Sequence, residues 1–564
     1  SPLSFTSTNS YPRITWSPWD NIAEPYREAV LTANSTVGDV ENDIFLWTLP
    51  TENGVVYEGR EVTHTFTTVG RKKVILAQTK AQTGNRFYFE GYVMVKYVRR
   101  EIRKLHHDDV QAFFNAMQTL YRLPTAQGVH QFGSEYKGIE FFIQMHLDGA
   151  GVSDCDHWHD DAGIMTHHVA YSLQFEQAIQ LVDPSVAIPY WEYTIESANK
   201  VSSYGDSRLF DDDWFGEFSP DNELHTVTKG RWAYLSIMVD AWEYVHNPYG
   251  LLRSPWNLDS TPYVTRHNMT NGRVSQDMVS CQAYASCFSA TAIARVNQCL
   301  NGGTHGPVHI LIGGEWASPE EDFIQKLGYT GMVPLVSKFL WRKGYMRIPT
   351  SCTEDEECVT TCPSHLYESR GMNPYDVLMD AHALVWIARF TSGVVIYDSD
   401  EERYVIAGHE GDAKFAEDFW LKMLHSFCNV GKVGEMYTSS APYDPLFWVI
   451  HPTADRLLGW RRMLGRQQPD EWAFDETWGY EHSNTVGETG TVCNWDDVRP
   501  DTDDMPTCVN GICGGHRKDD MLPFTVKVGG EVIQLTNLEW MDMIYPTNED
   551  LPYMYDEYSW DHCT

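Results

Sequence analysis

The sequence lacks long hydrophobic runs, because no window approaches the roughly 18 uninterrupted apolar residues of a membrane-spanning helix. Basic residues are also few: 42 lysines and arginines stand against 78 acidic residues, which gives a formal charge of −36. Such an excess of carboxylates repels phosphate backbones and anionic lipid headgroups. We therefore expect no nucleic-acid partner and no membrane insertion.

Two familiar zinc patterns are missing as well. The 12 cysteines form no paired Cys-x-x-Cys motif, and no HExxH motif is present. Most cysteines lie in Gly-, Pro- and Asp-rich stretches, which favours disulfides and an oxidising compartment. The acceptor triplets at Asn34 and Asn268 predict N-glycosylation, and the start at Ser1 without a basic, apolar leader is typical of a processed N-terminus. The sequence thus predicts a secreted glycoprotein.

The composition, with 42% hydrophobic and 13% aromatic residues, is that of a packed globular protein. Residues 1–97 contain short β-branched and aromatic runs separated by turn residues, which predicts an antiparallel β-sandwich. From Val98 onward apolar residues recur at helical spacing, and Asp108 and Asp109 supply negative charge for a helix N-terminus. A domain boundary is therefore expected between residues 97 and 98.

The rest of the chain divides into a central segment, 98–466, and a Cys- and Trp-rich C-terminal extension, 467–564. Residues 1–98 carry 9 basic and 10 acidic groups, whereas residues 467–564 carry 4 and 21. Within this acidic extension, FTVKVGGEVIQLT predicts a hairpin around Gly529 and Gly530. The extension is expected to be disulfide-bearing with some β-structure.

The central segment contains two groups of histidines. The first group is His146 at the end of an apolar stretch, His159 in a loop and His168 in the first turns of a helix. The second group is His305 and His309, four residues apart, with His451 much later in the chain. Three neutral imidazoles can hold one metal ion and leave a position open, so each group is a candidate metal site.

These residues resemble the type 3 copper proteins, which are the tyrosinases, catechol oxidases and haemocyanins. The segment DPLFWVIHPTAD around His451 is similar to the family's second-copper motif, and THGPVHILIGG is similar to its paired histidines. The first-copper motif is matched in part, since its Trp-His-Arg stands here as His167-His168-Val169. Residues 1–97 resemble PKD-type sandwiches weakly.

The resemblance implies a mainly helical, four-helix-bundle core over residues 98–466 that binds two copper ions, with a long insertion at 315–435. The implied ligands share an imidazole side chain and form two sets of three: His146, His159 and His168; His305, His309 and His451. Asp455 and Glu176 are expected to orient the ligands without binding the metal themselves. Asp455 is expected to hold the second imidazole nitrogen of His451.

Several alternatives remain open. His157 stands two residues after Cys155, the spacing that some family members use for a thioether-linked ligand, although the step to His168 favours His159. His425 with Asn429 lies where an ordinary member might carry its paired ligands, although His305 and His309 form a complete pair. Pro452 is expected to kink or restart the helix after His451.

The expected function is a secreted copper enzyme that uses O2 to oxidise a small phenol or catechol to an o-quinone, inserting oxygen first where the substrate is a monophenol. The alternatives are an oxygen carrier of haemocyanin type and a structural surface glycoprotein that keeps the fold. The β-sandwich would suit extracellular assembly or self-association, and the C-terminal extension could shield the copper pocket. A six-histidine zinc hydrolase is the weakest interpretation.

Overall fold

A computed structural model describes most of the chain. The described ranges are residues 3–36, 41–150, 156–159, 162–198, 203–237, 261–270, 273–274, 278–287, 290, 293–317, 323, 326–327, 333–346, 360–429, 431–465, 493–494, 507–508 and 518–563.

The N-terminal region is built from two sheets. Its strands are β1 (Leu3–Thr8), β2 (Ile22–Ala23), β3 (Glu28–Ser35), β4 (Ile44–Leu49), β5 (Val55–Glu58), β6 (Glu61–Thr65), β7 (Gly70–Thr79) and β8 (Arg86–Val95). One sheet has the order β1-β3-β6 and the other β2-β8-β7-β4-β5. All pairings within them are antiparallel except β2 with β8, which is parallel. The β-rich N-terminal region is thus confirmed, with one parallel pairing that the alternating pattern did not predict.

The two sheets share one apolar core. Along β7, Val74 and Leu76 are buried while Lys73 and Ile75 point outward, because successive side chains of a strand lie on opposite faces. The buried residues of both sheets form a single cluster, in which Phe5 of β1 meets Trp47 of β4 edge to face at 5.8 Å between ring centroids. Burial of these faces stabilises the sheets against each other.

Helices dominate the central part, which confirms its predicted helical character. They are α1 (His107–Arg122), α2 (Thr125–Phe132), α3 (Ile139–Ala150), α4 (Val169–Val182), α5 (Thr194–Ala198), α6 (Cys281–Cys287), α7 (Ile293–Cys299), α8 (Gly306–Gly313), α9 (Val333–Arg342), α10 (Ser364–Glu368), α11 (Pro374–Asp380), α12 (Ala383–Phe390), α13 (Ala413–Cys428) and α14 (Phe447–Met463).

The helical spacing of apolar residues that begins at Val98 extends upstream of the first helix. Residues Tyr97–Arg99 form the short strand β9, and Ile102–Lys104 form a 3-10 turn, so α1 begins only at His107. Asp108 and Asp109 then lie in its first turn, where their charge complements the helix dipole. The last helix of the central part, α14, runs through Pro452 and does not restart there.

Short strands connect the helices. They are β10 (Met269–Thr270), β11 (Arg273–Val274), β12 (Glu315–Trp316), β13 (Val395–Asp398), β14 (Arg403–Ile406), β15 (Lys432–Val433), β16 (Cys493–Asn494) and β17 (Thr507–Cys508). Helices α9 to α13 enclose a separate apolar cluster that includes Leu340, Leu384 and Phe427, so the described residues of this stretch pack around a core of their own.

The described end of the chain contains β18 (Met521–Val528), β19 (Glu531–Thr536), α15 (Asn537–Met543) and β20 (Tyr553–Tyr555). The hairpin of β18 and β19 turns at Gly529 and Gly530, both with positive φ, which confirms the predicted hairpin. Its Phe524 belongs to the same apolar core as the central helices. Strand β20 pairs in parallel with β9, so the end of the chain lies beside the junction between the sheets and the helices.

Three disulfides join described residues: Cys281 with Cys563, Cys287 with Cys299, and Cys362 with Cys428. Cysteines 155, 352, 358 and 513 lie outside the described residues. Of the predicted glycosylation acceptors, Asn34 is exposed near the end of β3 and Asn268 is half-buried just before β10. Within the described ranges, no helix combines the length and the apolar character that crossing a membrane requires.

Candidate metal centre

The six predicted histidines come from five places in the chain. His146 lies in α3 and His159 in the turn before α4, while His168 immediately precedes α4. In the second set, His305 immediately precedes α8, His309 lies within α8, and His451 lies in α14.

The fold brings these residues together as two triads. His146, His159 and His168 each offer a nitrogen, and the three nitrogens lie within 4.8 Å of one another. The same holds for His305, His309 and His451. The triads adjoin each other, since the rings of His168 and His451 stack with centroids 4.6 Å apart and an interplanar angle of 9°. We call these six side chains the histidine centre.

The Nδ1 atoms of five of these imidazoles are held by oxygen atoms. The pairs are His146 with Ser439 O (2.6 Å), His159 with the Asp156 carboxylate (3.0 and 3.1 Å), His168 with Trp158 O (2.9 Å), His309 with Met436 O (2.8 Å) and His451 with Phe447 O (2.6 Å). Carbonyl and carboxylate oxygens only accept, so Nδ1 carries the hydrogen in each ring. Each neutral ring therefore offers its lone pair at Nε2, which is the arrangement of histidines that ligate metals.

The Nε2 atoms show where an ion would fit. Among the described residues, Nε2 of His168 and Nε2 of His451 are buried and have no hydrogen-bond partner. Nε2 of His305 and Nε2 of His309 face each other at 2.8 Å. A buried lone pair without a partner is costly, and a cation is one group that can satisfy several converging lone pairs at once.

Burial also keeps the rings neutral. Desolvation holds the pKa of His168 and of His451 well below the usual value for histidine, and the neighbouring imidazoles lower both pKa values further. The neutral form is the one that binds a metal, so both rings are in the ligating state at neutral pH without having to lose a proton.

Two π-helical turns place histidines of the two triads. Ile164–His168 leads into α4, and Leu300–His305 leads into α8. In each turn a threonine hydroxyl donates to the carbonyl four residues earlier, Thr166 to Ala162 (3.1 Å) and Thr304 to Leu300 (2.9 Å). Such turns are rare in proteins as a whole. Those that occur are often found at functional sites, because the wider turn changes the direction of the side chains that follow.

One imidazole in each triad is partly exposed. His159 and His309 are half-buried, whereas the other four histidines are at most 2% exposed. The aromatic ring of Phe447 packs against both triads, with centroids 4.0 Å from His451 and 5.4 Å from His146. Among the six imidazoles of the histidine centre, His159 and His309 are therefore the two that solvent reaches.

The carboxylates predicted to support the ligands lie elsewhere. Nδ1 of His451 bonds to Phe447 O, and Asp455 instead accepts from Tyr553 (2.8 Å), Tyr555 (2.7 Å) and Arg99 (3.4 Å). Because a carbonyl of its own helix already holds His451, the Asp455 carboxylate is left to neutralise the buried guanidinium.

Glu176 makes no contact of the predicted kind with the histidines either. Its carboxylate pairs with the Arg99 guanidinium and accepts from the backbone N–H of Ile188 at 2.9 Å. We call this second buried polar cluster the terminal tie; it consists of Arg99, Glu176, Asp455, Tyr553 and Tyr555.

Neither alternative histidine belongs to a triad. His157 is buried and its ring centroid is 6.1 Å from that of His167, while His425 is exposed on α13. Asn429 directly follows α13 as its C-cap. Cys155 lies outside the described residues, so the proposed thioether to His157 is untested.

Sequence reasoning missed Asp156, which holds His159. The residue stands in the motif DCDHWHDD, and a carboxylate three positions before a candidate ligand was an available signal. Gly149 was missed as well: a side chain there would collide with Trp158, whose indole nitrogen lies 1.7 Å from the position of a Cβ. A third group, Cys281, His562 and Cys563, offers no thiolate, because its two sulfurs are bonded to each other.

Comparison with known proteins agrees with this geometry. Residues 125–331 match the family model described as the common central domain of tyrosinase, a range that contains five of the six histidines and ends before His451. Over 49 residues the chain is 39% identical to grixazone synthase of Streptomyces griseus subsp. griseus. That alignment covers 9% of this chain and 16% of the relative's length. The two matches support a likeness to the tyrosinase-like, type 3 copper family.

Proposed function

We propose that the protein is a dicopper oxidase that uses O2 to convert phenols or catechols to o-quinones. The observation that carries the proposal is the pair of adjoining all-histidine triads, joined by the stacked rings of His168 and His451. His146, His159 and His168 would hold one copper ion, and His305, His309 and His451 would hold the other.

The donor set favours copper. Neutral imidazoles suit both oxidation states of copper, so an ion can change its charge without leaving the site. Neither triad contains a carboxylate, and the nearby Asp156 is already engaged with His159. A hydrolytic zinc site would ordinarily combine the metal with a free general base, and among the described residues neither triad includes a carboxylate that could serve as one.

The residues of the chain contribute orientation and restricted access. Oxygen atoms fix the ring planes through Nδ1, and the apolar surroundings of His168 and His451 exclude water from the buried side. The partly exposed His159 and His309 mark the side from which a planar phenol would approach. When bound, copper supplies the one-electron steps that allow O2 to react with such a ring.

The function is tested by measuring bound copper per chain, an oxygen-dependent near-UV band, and quinone formation from a monophenol and from a diphenol. We expect two coppers per chain, the band, and turnover of at least the diphenol. Absence of copper would overturn the proposal. A band without turnover, even after limited proteolysis, would instead establish the oxygen-carrier alternative, and this outcome also rejects the oxidase.

We further propose secretion, glycosylation at Asn34 and Asn268, and the division of the chain into residues 1–97, 98–466 and 467–564. Three disulfides support an oxidising compartment. Intact-mass measurement before and after deglycosylation, on protein secreted from a eukaryotic host, tests the acceptors. An intact mass that does not change on deglycosylation would reject both acceptors.

Self-association through the N-terminal sheets is the last part of the proposal. The outer face of the larger sheet exposes Ile44, Leu46, Val56 and Tyr88, with exposed fractions of 39 to 63%. Residues 1–98 are nearly neutral, so a second copy meets little repulsion there despite the net charge of −36. Sedimentation of the parent and of Leu46→Glu should show a dimer for the parent alone; a monomeric parent would reject this surface.

A further inference from the structure

One short segment contacts the ligands of both triads. Residues 435–447 provide the carbonyl oxygens that accept from three of the imidazoles: Met436 O from His309, Ser439 O from His146, and Phe447 O from His451. His146 belongs to the first triad and the other two to the second. The position of this segment therefore sets ring orientations on both sides of the histidine centre.

The segment is anchored near its two ends by neighbouring residues. The buried carboxylate of Glu435 accepts from the backbone N–H of Thr265 (2.6 Å) and from its hydroxyl (3.0 Å). The buried carboxylate of Asp444 forms a bidentate pair with Arg266, at 2.6 Å to Nε and 2.7 Å to Nη2. Two consecutive residues, Thr265 and Arg266, thus hold the segment at two points nine residues apart.

Further hydrogen bonds fix the orientation of the pair between Asp444 and Arg266. Nη1 of Arg266 donates to the carbonyls of Phe215 (2.9 Å) and Gly216 (3.3 Å), so the guanidinium is fixed from a third element. Oδ1 of Asp444 also accepts from the backbone N–H of Leu446 (3.0 Å), just before α14 begins. A planar, bidentate pair of this kind restricts orientation as well as distance.

We propose that Glu435 and Asp444, held by Thr265 and Arg266, are positioning residues that couple the two metal sites. This inference rests on the proposed function, since it concerns ligation at the histidine centre. Loosening either anchor moves the carbonyls that orient His146, His309 and His451 together. A single substitution at an anchor then lowers the metal affinity of both sites, although neither anchor touches a ligand.

Asp156 provides the contrast. Its carboxylate accepts from the ring and the backbone N–H of His159 and from the backbone N–H of Trp158 (3.1 Å), whose carbonyl holds His168, so its loss is expected to act on the first triad. Substitution of outer groups that orient metal ligands ordinarily lowers metal affinity by about 10- to 100-fold. The coupling therefore predicts a loss of this size at two sites for Glu435→Gln and at one site for Asp156→Asn.

The test is equilibrium dialysis of the full chain with Co2+ or Cu2+, together with the visible spectrum of the Co2+ form. For Glu435→Gln we expect both affinities to fall by about 10-fold or more, with altered bands from both sites. For Asp156→Asn we expect one affinity to fall and the other to stay within about twofold. Thr265→Val, which removes only the hydroxyl donor, should show the same two-site pattern more weakly.

Glu24→Gln is the matched control, because Glu24 is another buried carboxylate and pairs with Arg100 far from the histidines in the N-terminal region. It should lower thermal stability and leave both affinities unchanged. If Glu435→Gln or Thr265→Val folds and changes neither site, or only one, the coupling is wrong. If the parent chain itself binds no metal, it is the proposed function that fails.

Discussion

The histidine centre and the terminal tie are two buried polar clusters that share helix α14, and they differ in how their polar atoms are used. His451 and Asp455 lie one turn apart on this helix. Around Asp455, opposite charges and phenol hydroxyls satisfy the carboxylate. Around His451, the ring donates through Nδ1 and its Nε2 has no hydrogen-bond partner among the described residues.

Whether the buried polar atoms have hydrogen-bond partners distinguishes a candidate binding site from a cluster that only stabilises the fold. A cluster whose donors and acceptors are paired contributes order but has nothing to offer a ligand. A cluster that buries lone pairs without partners carries a cost that a metal ion can remove. The terminal tie also joins four elements, since Arg99 ends β9, Glu176 lies in α4, Asp455 lies in α14, and Tyr553 and Tyr555 lie in β20.

The largest expected effect is on metal binding. His451→Ala removes a ligand, so we expect the second metal site to be lost while the first is retained. His305→Ala should behave in the same way. Metal content per chain, measured after dialysis, checks the prediction.

The matched control for these variants is His425→Ala, which changes an exposed histidine and should leave the metal content unaltered. Loss of metal from the His425 variant alone would show that His305 and His309 are not the paired ligands.

The next effect should fall on stability. Arg99→Ala leaves the carboxylates of Glu176 and Asp455 buried without their cation. Breaking a buried ion pair in this way costs about 3–5 kcal/mol, so the free energy of unfolding should fall by that amount. Urea denaturation measures it.

The metal content of the Arg99 variant tests whether the terminal tie acts independently of the histidine centre. The folded Arg99→Ala protein should still bind metal at both sites, and Arg389→Ala on the exposed side of α12 should change stability by less than about 0.5 kcal/mol. An Arg99 variant of unchanged stability, or one that folds without binding metal, would contradict the distinction.

The smallest effect concerns pH. Lys96 directly precedes β9, which ends at Arg99, and its ammonium donates to the carbonyls of Asn548 (2.7 Å) and Glu549 (3.1 Å). Burial lowers the pKa of Lys96 from 10.5 to about 7, against the opposing charges of Asp550 and Glu549. Between these two pKa values the unfolded chain binds a proton that the folded chain has released.

Stability therefore rises with pH over this interval, by at most about 1.4 kcal/mol per pH unit from this one group. Urea denaturation at pH 7, 8 and 9 should show that rise in the parent relative to Lys96→Met. Lys104→Met, at a half-exposed lysine, should follow the parent. Parallel curves for the parent and Lys96→Met would show that Lys96 keeps its ordinary pKa.

Local sequence signals predicted much of the architecture. The alternation along β7, the helical spacing within α1 and the turn at Gly529 and Gly530 each depend on neighbouring residues, and the structure contains all three elements. Asp108 and Asp109 lie in the first turn of α1 as predicted, whereas residues 97–99, within the stretch of helical apolar spacing, form β9 and pair with β20 instead. A partner more than 450 positions away in the chain leaves no local trace.

The candidate site shows the same division. Residue type and spacing predicted the two groups of three histidines. Each group stands in a sequence that is similar to a motif of the type 3 copper proteins, and this combination is unusual. The roles expected for Asp455 and Glu176 did not follow from spacing, since their partners are Arg99 and residues at the far end of the chain. Asp156 could have been found, whereas the carbonyls of Met436 and Ser439 could not, because any residue has a carbonyl.

The sequence by itself determined which side chains are available: an acidic chain with few basic residues, short apolar runs, and two sets of histidines in recognisable surroundings. Only the tertiary structure decided which of them meet. It placed His168 against His451, turned Asp455 toward Arg99, and ran one segment past both triads. The physical reason is that donor chemistry is a property of each residue, whereas a buried lone pair without a partner exists only where packing brings several such residues together and keeps water out.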